Sequence, residues 1–105
     1  MSRIICFDIE STGLDYLHGD RCIEIGAVEI IDNKITGNSF HEYINPEGKV
    51  IPPESYMVHK ISNTFLEDKP KMAEVAPKFL EYPSKVGTIF SISLRKCNVI
   101  SSLFK

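Results

Sequence analysis

The sequence has no long apolar run and little cysteine. No run of about 18 apolar residues occurs among its 105 residues, which excludes a membrane-spanning helix. The three cysteines (Cys6, Cys22 and Cys97) are odd in number and have no metal-type spacing, so we expect reduced thiols. The first residues run directly into an apolar segment and lack a signal-peptide layout. With 43% hydrophobic and 25% charged residues, the chain is expected to form one small, soluble, cytoplasmic domain.

Acidic residues are missing from the end of the chain. Residues 1–82 carry 8 Lys and Arg against all 14 Asp and Glu, whereas residues 83–105 carry 4 Lys and Arg and no acid. After Glu81 there is also no histidine. Such a break in charge is typical of a boundary, which we place at Pro83-Ser84. The basic residues beyond it are too few and too scattered to indicate a nucleic-acid patch.

The residues before that boundary have the pattern of an α/β unit. Periodicity and β-branched content predict strands at 3–9, 22–31 and 35–44 and helices at about 54–59 and 71–82. The second strand is apolar on both faces and therefore central. Asp32-Asn33-Lys34 forms the hairpin turn after it. Pro77 should kink the last helix or mark a late start.

Two acidic side chains stand near the end of the first strand. Residues at i and i+2 of a strand project to one face, so Asp8 and Glu10 lie side by side. Like charges at that spacing are tolerated mainly when a cation sits between them. Thr12-Gly13 then turns the chain at the rim of the sheet. The pattern predicts half of a metal site, with a solvated strand end as the plain alternative.

Five segments in collinear order carry a resemblance to a known family. They are Asp8-Ile9-Glu10-Ser11-Thr12-Gly13-Leu14, Ile23-Glu24-Ile25-Gly26-Ala27-Val28-Glu29, Thr36-Gly37-Asn38-Ser39-Phe40-His41-Glu42-Tyr43, Val58-His59-Lys60-Ile61 and Phe65-Leu66-Glu67-Asp68-Lys69-Pro70. In order and spacing the chain resembles the DEDD-type 3′–5′ exonucleases, and among these the proofreading epsilon subunits of bacterial DNA polymerase III. The resemblance covers residues 3–82 and identifies residues 1–82 as the N-terminal part of an exonuclease domain, followed by a divergent basic tail at 83–105.

The resemblance implies a fold, a chemistry and partners. The fold is an incomplete RNase H-like α/β fold, a three-stranded antiparallel sheet plus helices, with later strands and helices missing or replaced. The chemistry is removal of 3′-terminal nucleotides from DNA by two divalent cations, Mg²⁺ or Mn²⁺. Asp8 and Glu10 would be catalytic and hold the metal. The substrate-binding residues would be Asp8, Glu10, Ser11, Thr12, Gly13, Leu14, Glu54 and His59. The partners would be the 3′ end of DNA and the polymerase III core subunits, with no membrane.

The sequence also departs from this family. Intact members supply a third and a fourth carboxylate and a histidine base from two later motifs, and neither motif is present. We therefore expect no activity from this chain alone, with a non-catalytic remnant, or a module that binds DNA ends or the replisome, as the alternative function. Unless the tail replaces the missing elements, apolar surface of the first two strands stays exposed and favours aggregation.

Plainer interpretations remain for several residues. Glu54 could be only a favourable charge at a helix start, and His59 a histidine without a catalytic role. Glu24 and Glu29 are interpreted as structural or solvated rather than as metal ligands.

Overall fold

A computed structural model of the chain describes residues 3–13, 15–85, 93–96, 100, 103 and 104. Its strands are β1 (Arg3–Ser11), β2 (Cys22–Ile31), β3 (Lys34–Tyr43) and β4 (Ser93–Lys96), and its helices are α1 (Pro53–His59), α2 (Asn63–Leu66) and α3 (Met72–Lys85). A 3-10 turn at Tyr16–His18 lies between β1 and β2. Within these ranges, no helix is long and apolar enough to cross a membrane.

The strands form one sheet in the order β3-β2-β1-β4. β1, β2 and β3 pair antiparallel, as the sequence predicts, and β4 adds to the other edge of β1 in parallel. Positive φ angles at Asp32 and Asn33 (49° and 69°) make the tight turn that joins β2 to β3. The interior of β2 is buried throughout, which fits its central place and its Ile-rich sequence.

One face of the sheet packs against α3. The inward residues of this helix recur at helical spacing, and Val75 and Tyr82 are buried against the sheet. Phe79 lies edge-on to Phe7 at a ring-centroid distance of 6.2 Å. Pro77 is exposed and lies inside the helix, which begins at Met72, so the late start offered as one alternative at Pro77 is wrong.

The opposite face is covered by residues near the C-terminus. Ile100 is fully buried, and Phe104 packs with Cys6 and Val28. A Cβ on Gly26 would lie 2.8 Å from Cγ1 of Ile100 and 3.0 Å from Cδ2 of Phe104, so glycine alone leaves room for them. The described residues of the tail therefore cover apolar surface of the sheet. The sequence predicts that this surface stays exposed unless the tail replaces the missing elements. Residues 86–92, whose sequence could form a further strand, lie outside the described residues.

A buried ion pair joins the start of β1 to the end of β2. Nε of Arg3 lies 2.6 Å from Oε2 of Glu29, and both side chains are at most 2% exposed. Oε1 of Glu29 accepts hydrogen bonds from Thr36 and Asn38, and Tyr82 donates to the backbone oxygen of Asn38. Burial alone would raise the pKa of Glu29, but these hydrogen bonds and the Arg3 charge lower it overall. Glu29 is therefore structural, one of the two roles expected for it.

The cysteines differ from the sequence-based expectation. Cys6 takes part in a disulfide bond, so the prediction of three reduced thiols is wrong at that position. Cys22 is free, and burial raises the pKa of its thiol to about 12. The number and spacing of the cysteines could not predict the disulfide of Cys6, because a disulfide depends on which Cβ atoms the fold brings together.

Candidate active site

Asp8 and Glu10 lie on one face of β1, as predicted. In the register of the sheet, Asp8 stands opposite Gly26, and Glu10 stands opposite Glu24. Asp8 is 5% exposed, and its Oδ1 accepts a hydrogen bond of 2.8 Å from the Ile9 amide. Glu10 is half-buried and reaches the rim. The pair thus offers one enclosed and one more accessible carboxylate near the C-terminal end of β1.

The strand ends in an irregularity directly after Glu10. The register with β2 shifts between Glu10 and Ser11, and Ser11 then pairs with Cys22. Ser11 Oγ donates a 2.7 Å hydrogen bond to the backbone oxygen of Gly13, which closes the turn. Bulges of this kind redirect side chains next to active sites. Here the shift directs Ser11 and Gly13 toward α1.

A cleft of about 300 Å³ opens between this turn and α1. It is lined by Ile9, Glu10, Ser11, Gly13, Glu54, Ser55, Val58 and His59. Five residues singled out from the sequence therefore meet in one cleft, although they come from two segments about 40 positions apart. Asp8 and Thr12 are buried behind it, and Leu14 lies outside the described residues.

The two predicted residues of α1 differ in how firmly they are held. His59 is 7% exposed, and its Nδ1 accepts a 3.0 Å hydrogen bond from the Ile61 amide. The neutral ring therefore carries its proton on Nε2. Lys60 ends the helix in the left-handed conformation. Glu54 is exposed in the first turn of α1, where a carboxylate also suits the helix dipole.

The described ranges contain no group of three or more His, Cys, Asp or Glu side chains that could hold a metal ion. Glu24, the nearest further acid in the register, is fully buried, and its Oε2 lies 2.6 Å from Nε2 of His41. His41 in turn stacks on Phe104 at a centroid distance of 4.3 Å. The Glu24 side chain is thus held against His41 between β2 and β3, in line with its structural interpretation. Asp8 and Glu10 remain an all-oxygen pair of the kind that Mg²⁺ and Mn²⁺ prefer.

Sequence reasoning missed two residues of this site. Ser55 Oγ lines the cleft and donates a 3.2 Å hydrogen bond to the backbone oxygen of Thr12, joining α1 to the turn. Asp20 accepts a hydrogen bond from Thr12 Oγ1. Neither has a sequence signal, because Ser55 sits in an ordinary helix turn and Asp20 in a polar loop. A second cleft of about 310 Å³ includes Asp20 and Cys22 but neither Asp8 nor Glu10.

Comparison with protein families identifies a match over most of the chain. Residues 5–89 match the RNase T family model, described as exonuclease. Among relatives, the chain is 49% identical over 82 residues to DNA polymerase III subunit epsilon of Rickettsia conorii, covering 78% of this chain and 35% of that protein. It is 43% identical over 86 residues to the same subunit of Escherichia coli K12, again covering 78% and 35%. The chain thus spans about a third of the length of the curated relatives it matches.

Solved structures give the same result for the fold. Exonuclease X in complex with 5′ overhanging duplex DNA superposes with a TM-score of 0.62 at 30% identity, covering 72% of this chain and 42% of that one. Cell-death related nuclease 4 superposes with a TM-score of 0.77 at 16% identity, covering 95% and 36%. These likenesses confirm the partial RNase H-like exonuclease fold expected from the sequence.

Proposed function

This chain belongs to the exonuclease family. We propose that it carries part of the active site of a 3′–5′ exonuclease that proofreads DNA, of the polymerase III epsilon type. This part is the half of the site that the N-terminal segment of the domain supplies. The single observation that supports this most is the cleft, where Glu10, Ser11, Gly13, Glu54 and His59 meet. The identity of 43–49% to epsilon subunits supports the finer assignment. On this proposal the partners are the 3′ end of DNA and the polymerase III core, in the cytoplasm.

The metal would be held by Asp8 and Glu10. Divalent ions supply an activated water and stabilise the leaving oxygen in phosphate-ester hydrolysis. What the chain itself contributes is two oxygen ligands on a rigid strand, with Asp8 oriented by the Ile9 amide. Two carboxylates are a partial ligand set, so we expect weak binding of Mg²⁺ or Mn²⁺.

The cleft would bind the terminal nucleotide. Its volume of about 300 Å³ is at the lower end of the range for small-molecule sites. Ile9 and Val58 give it apolar walls, while Ser11 and Glu54 add polar groups at the mouth. An apolar body with a few polar groups suits a nucleoside with hydroxyl groups, and Glu54 is the group we assign to the 3′ hydroxyl.

Hydrolysis by the 105-residue chain alone should be undetectable. The described residues bring no third carboxylate to Asp8 and Glu10, and the Nδ1 lone pair of His59 already accepts the Ile61 amide proton, so it is not available as a base. Loss of a general base alone costs about 10²–10⁴-fold. The incomplete metal site adds to this loss.

Digestion of a 5′-labelled single-stranded oligonucleotide with Mg²⁺ or Mn²⁺ tests the proposal. The native chain is compared with Asp8→Ala and with Asp68→Ala, whose side chain is 81% exposed and does not line the cleft. An intact epsilon subunit serves as the positive control. We expect no ladder from any form of this chain. A ladder shortened from the 3′ end and lost only in Asp8→Ala would refute the predicted inactivity.

The cleft itself favours a second function, binding of DNA ends without cleavage. It is formed within the described residues and needs no further ligand to accept a nucleotide. Fluorescence anisotropy of a single strand labelled at its 5′ end, with 3′-hydroxyl and 3′-phosphate forms compared, measures this binding. A preference for the 3′ hydroxyl that disappears in Glu54→Gln supports it, and equal binding of both forms contradicts it.

A further inference from the structure

The carboxylate of Asp20 lies inside the loop that joins β1 to β2. Its Oδ1 accepts a 2.9 Å hydrogen bond from Thr12 Oγ1, and its Oδ2 accepts one of 2.8 Å from the Asp15 amide. Nζ of Lys49 lies 3.7 Å from Oδ1. Both short bonds come from donors, so the carboxylate acts only as an acceptor, which is the role of its ionised form. The Asp20 side chain thus bonds both to Thr12, where the loop begins, and to Asp15 inside the loop.

Gly13 lies directly against this carboxylate. A Cβ at position 13 would stand 2.5 Å from Oδ2 of Asp20 and 2.8 Å from its Cγ, closer than any real contact. The backbone of the turn therefore follows the shape of the Asp20 side chain. Because Gly13 lines the cleft, the position of Asp20 sets the position of one cleft wall.

Thr12 connects the same carboxylate to the opposite wall. It is fully buried, and its Oγ1 donates to Asp20 while accepting a 2.9 Å hydrogen bond from the Arg21 amide. Its backbone N–H donates to the Arg21 oxygen at 2.9 Å, and its backbone oxygen accepts from Ser55 Oγ on α1. A continuous set of bonds therefore runs from Asp20 through Thr12 to Ser55.

We propose that Asp20 is a positioning residue for the nucleotide cleft, which fixes the Ser11–Gly13 turn and docks α1 against it through Thr12. Asp20 does not touch the bound nucleotide in this scheme. The proposal rests on the proposed function for the identity of the ligand, but the bonds that carry it are independent of that function. The hydrogen bond from the Asp15 amide, followed by that from Thr12, lowers the pKa of Asp20, as expected for an ionised acceptor.

A structural role and a positioning role predict different measurements. If Asp20 only stabilised the fold, its removal would lower the melting temperature and leave nucleotide affinity of the folded protein unchanged. If it positions the cleft walls, affinity falls while β2 and α3 keep their stability. Asparagine preserves the shape and one acceptor oxygen, so Asp20→Asn should restore part of what Asp20→Ala loses.

The experiment measures the dissociation constant of thymidine 5′-monophosphate with Mn²⁺ by isothermal titration calorimetry, together with the melting temperature. The proteins are the native chain, Asp20→Asn, Asp20→Ala and the control Asp68→Ala. We expect affinity to fall at least tenfold in Asp20→Ala and less in Asp20→Asn, with Asp68→Ala unchanged. Unchanged affinity in a folded Asp20→Ala would overturn the proposal, as would a loss that simply parallels the melting temperature.

Amide hydrogen exchange separates this proposal from the proposed function. If the native chain does not bind the nucleotide, the proposed function fails, and exchange at Asp15 and Arg21 decides the role of Asp20. Exchange at least tenfold faster at these two amides in Asp20→Ala, with residues 23–29 of β2 unchanged, supports positioning. Unchanged exchange in the loop, or equal acceleration throughout β2, refutes it.

Discussion

Replacing Asp8 by asparagine should abolish the stabilisation of the fold by divalent cations and should stabilise the fold in their absence. The two acidic positions are about 6.6 Å apart along β1. At an effective dielectric constant of ~20, two charges at that distance repel by about 2.5 kcal/mol, which partial exposure of Glu10 reduces to about 1–2 kcal/mol. Asparagine removes this repulsion and keeps an Oδ1 acceptor for the Ile9 amide. Without cations, Asp8→Asn should therefore melt about 5–10 °C above the native chain.

Cations should favour the native chain instead. A cation at ten times its dissociation constant stabilises the folded state by about 1.4 kcal/mol, provided that it does not bind the unfolded chain. Adding Mn²⁺ should then raise the melting temperature of the native protein by about 5–10 °C and leave Asp8→Asn unchanged.

Circular dichroism melts in EDTA and in millimolar Mn²⁺ measure both effects, with Asp68→Asn as a control for net charge. Equal stabilisation of Asp8→Asn and the native chain by Mn²⁺ would refute cation binding at Asp8. A lower melting temperature of the variant in EDTA would refute the repulsion between Asp8 and Glu10.

Four further outcomes are expected from single changes or conditions. Glu29→Gln should cost about 3–5 kcal/mol in urea unfolding, because it leaves the guanidinium of Arg3 buried without its counter-charge. Since the folded-state pKa of Glu29 lies below its usual 4.5, its contribution holds above about pH 4.5 and is lost as the pH falls below it, which urea melts from pH 6 to 3 will detect. Gly26→Ala should cost about 1–3 kcal/mol through contact with Ile100. Cys22, with a pKa of about 12, should react with iodoacetamide at pH 8 roughly a thousandfold more slowly than an exposed thiol, as measured by mass spectrometry.

Matched variants control these experiments. Glu67→Gln changes the same charge at an exposed position and should cost less than about 0.5 kcal/mol. Ser39→Ala places alanine at an exposed position of β3 but removes an oxygen instead of adding a carbon, so it controls only for alanine in a strand. A loss below 1 kcal/mol in Glu29→Gln, or an unchanged pH dependence in that variant, contradicts the buried pair. Undiminished stability of Gly26→Ala contradicts the packing of Ile100 on the sheet. Labelling of Cys22 at the rate of an exposed thiol contradicts its burial.

Local patterns predicted most of the secondary structure. The strand expected at 22–31 is observed at Cys22–Ile31, because an apolar run that fits both faces can only be central. Ser62 precedes α2 and is a residue type typical of an N-cap, and its Oγ accepts a hydrogen bond of 3.1 Å from the Phe65 amide. Such features depend on a few neighbouring residues, and they can therefore be predicted from a single sequence.

Features that depend on distant pairing were not predictable in the same way. β4 is a short basic segment without alternation, and only its pairing with β1 makes it a strand. The disulfide of Cys6 and the role of Asp20 likewise depend on which residues the fold brings together. For the candidate site, strand periodicity predicted that Asp8 and Glu10 share one face, whereas Glu54 and His59 came only from the resemblance. The division of the chain at residue 83 stays a prediction.

The packing over Gly26 has a consequence for rebuilding the site from two polypeptides. Asp8, Gly26 and His41 stand in one row across β1, β2 and β3, and Ile100 and Phe104 fill the space above the glycine. A separately expressed fragment that brought further carboxylates to Asp8 from the β2 side would compete with these two side chains for the same surface. Fragment complementation should therefore succeed more readily after Phe104→Ala than in the native chain, because the incoming fragment would then displace one residue instead of two.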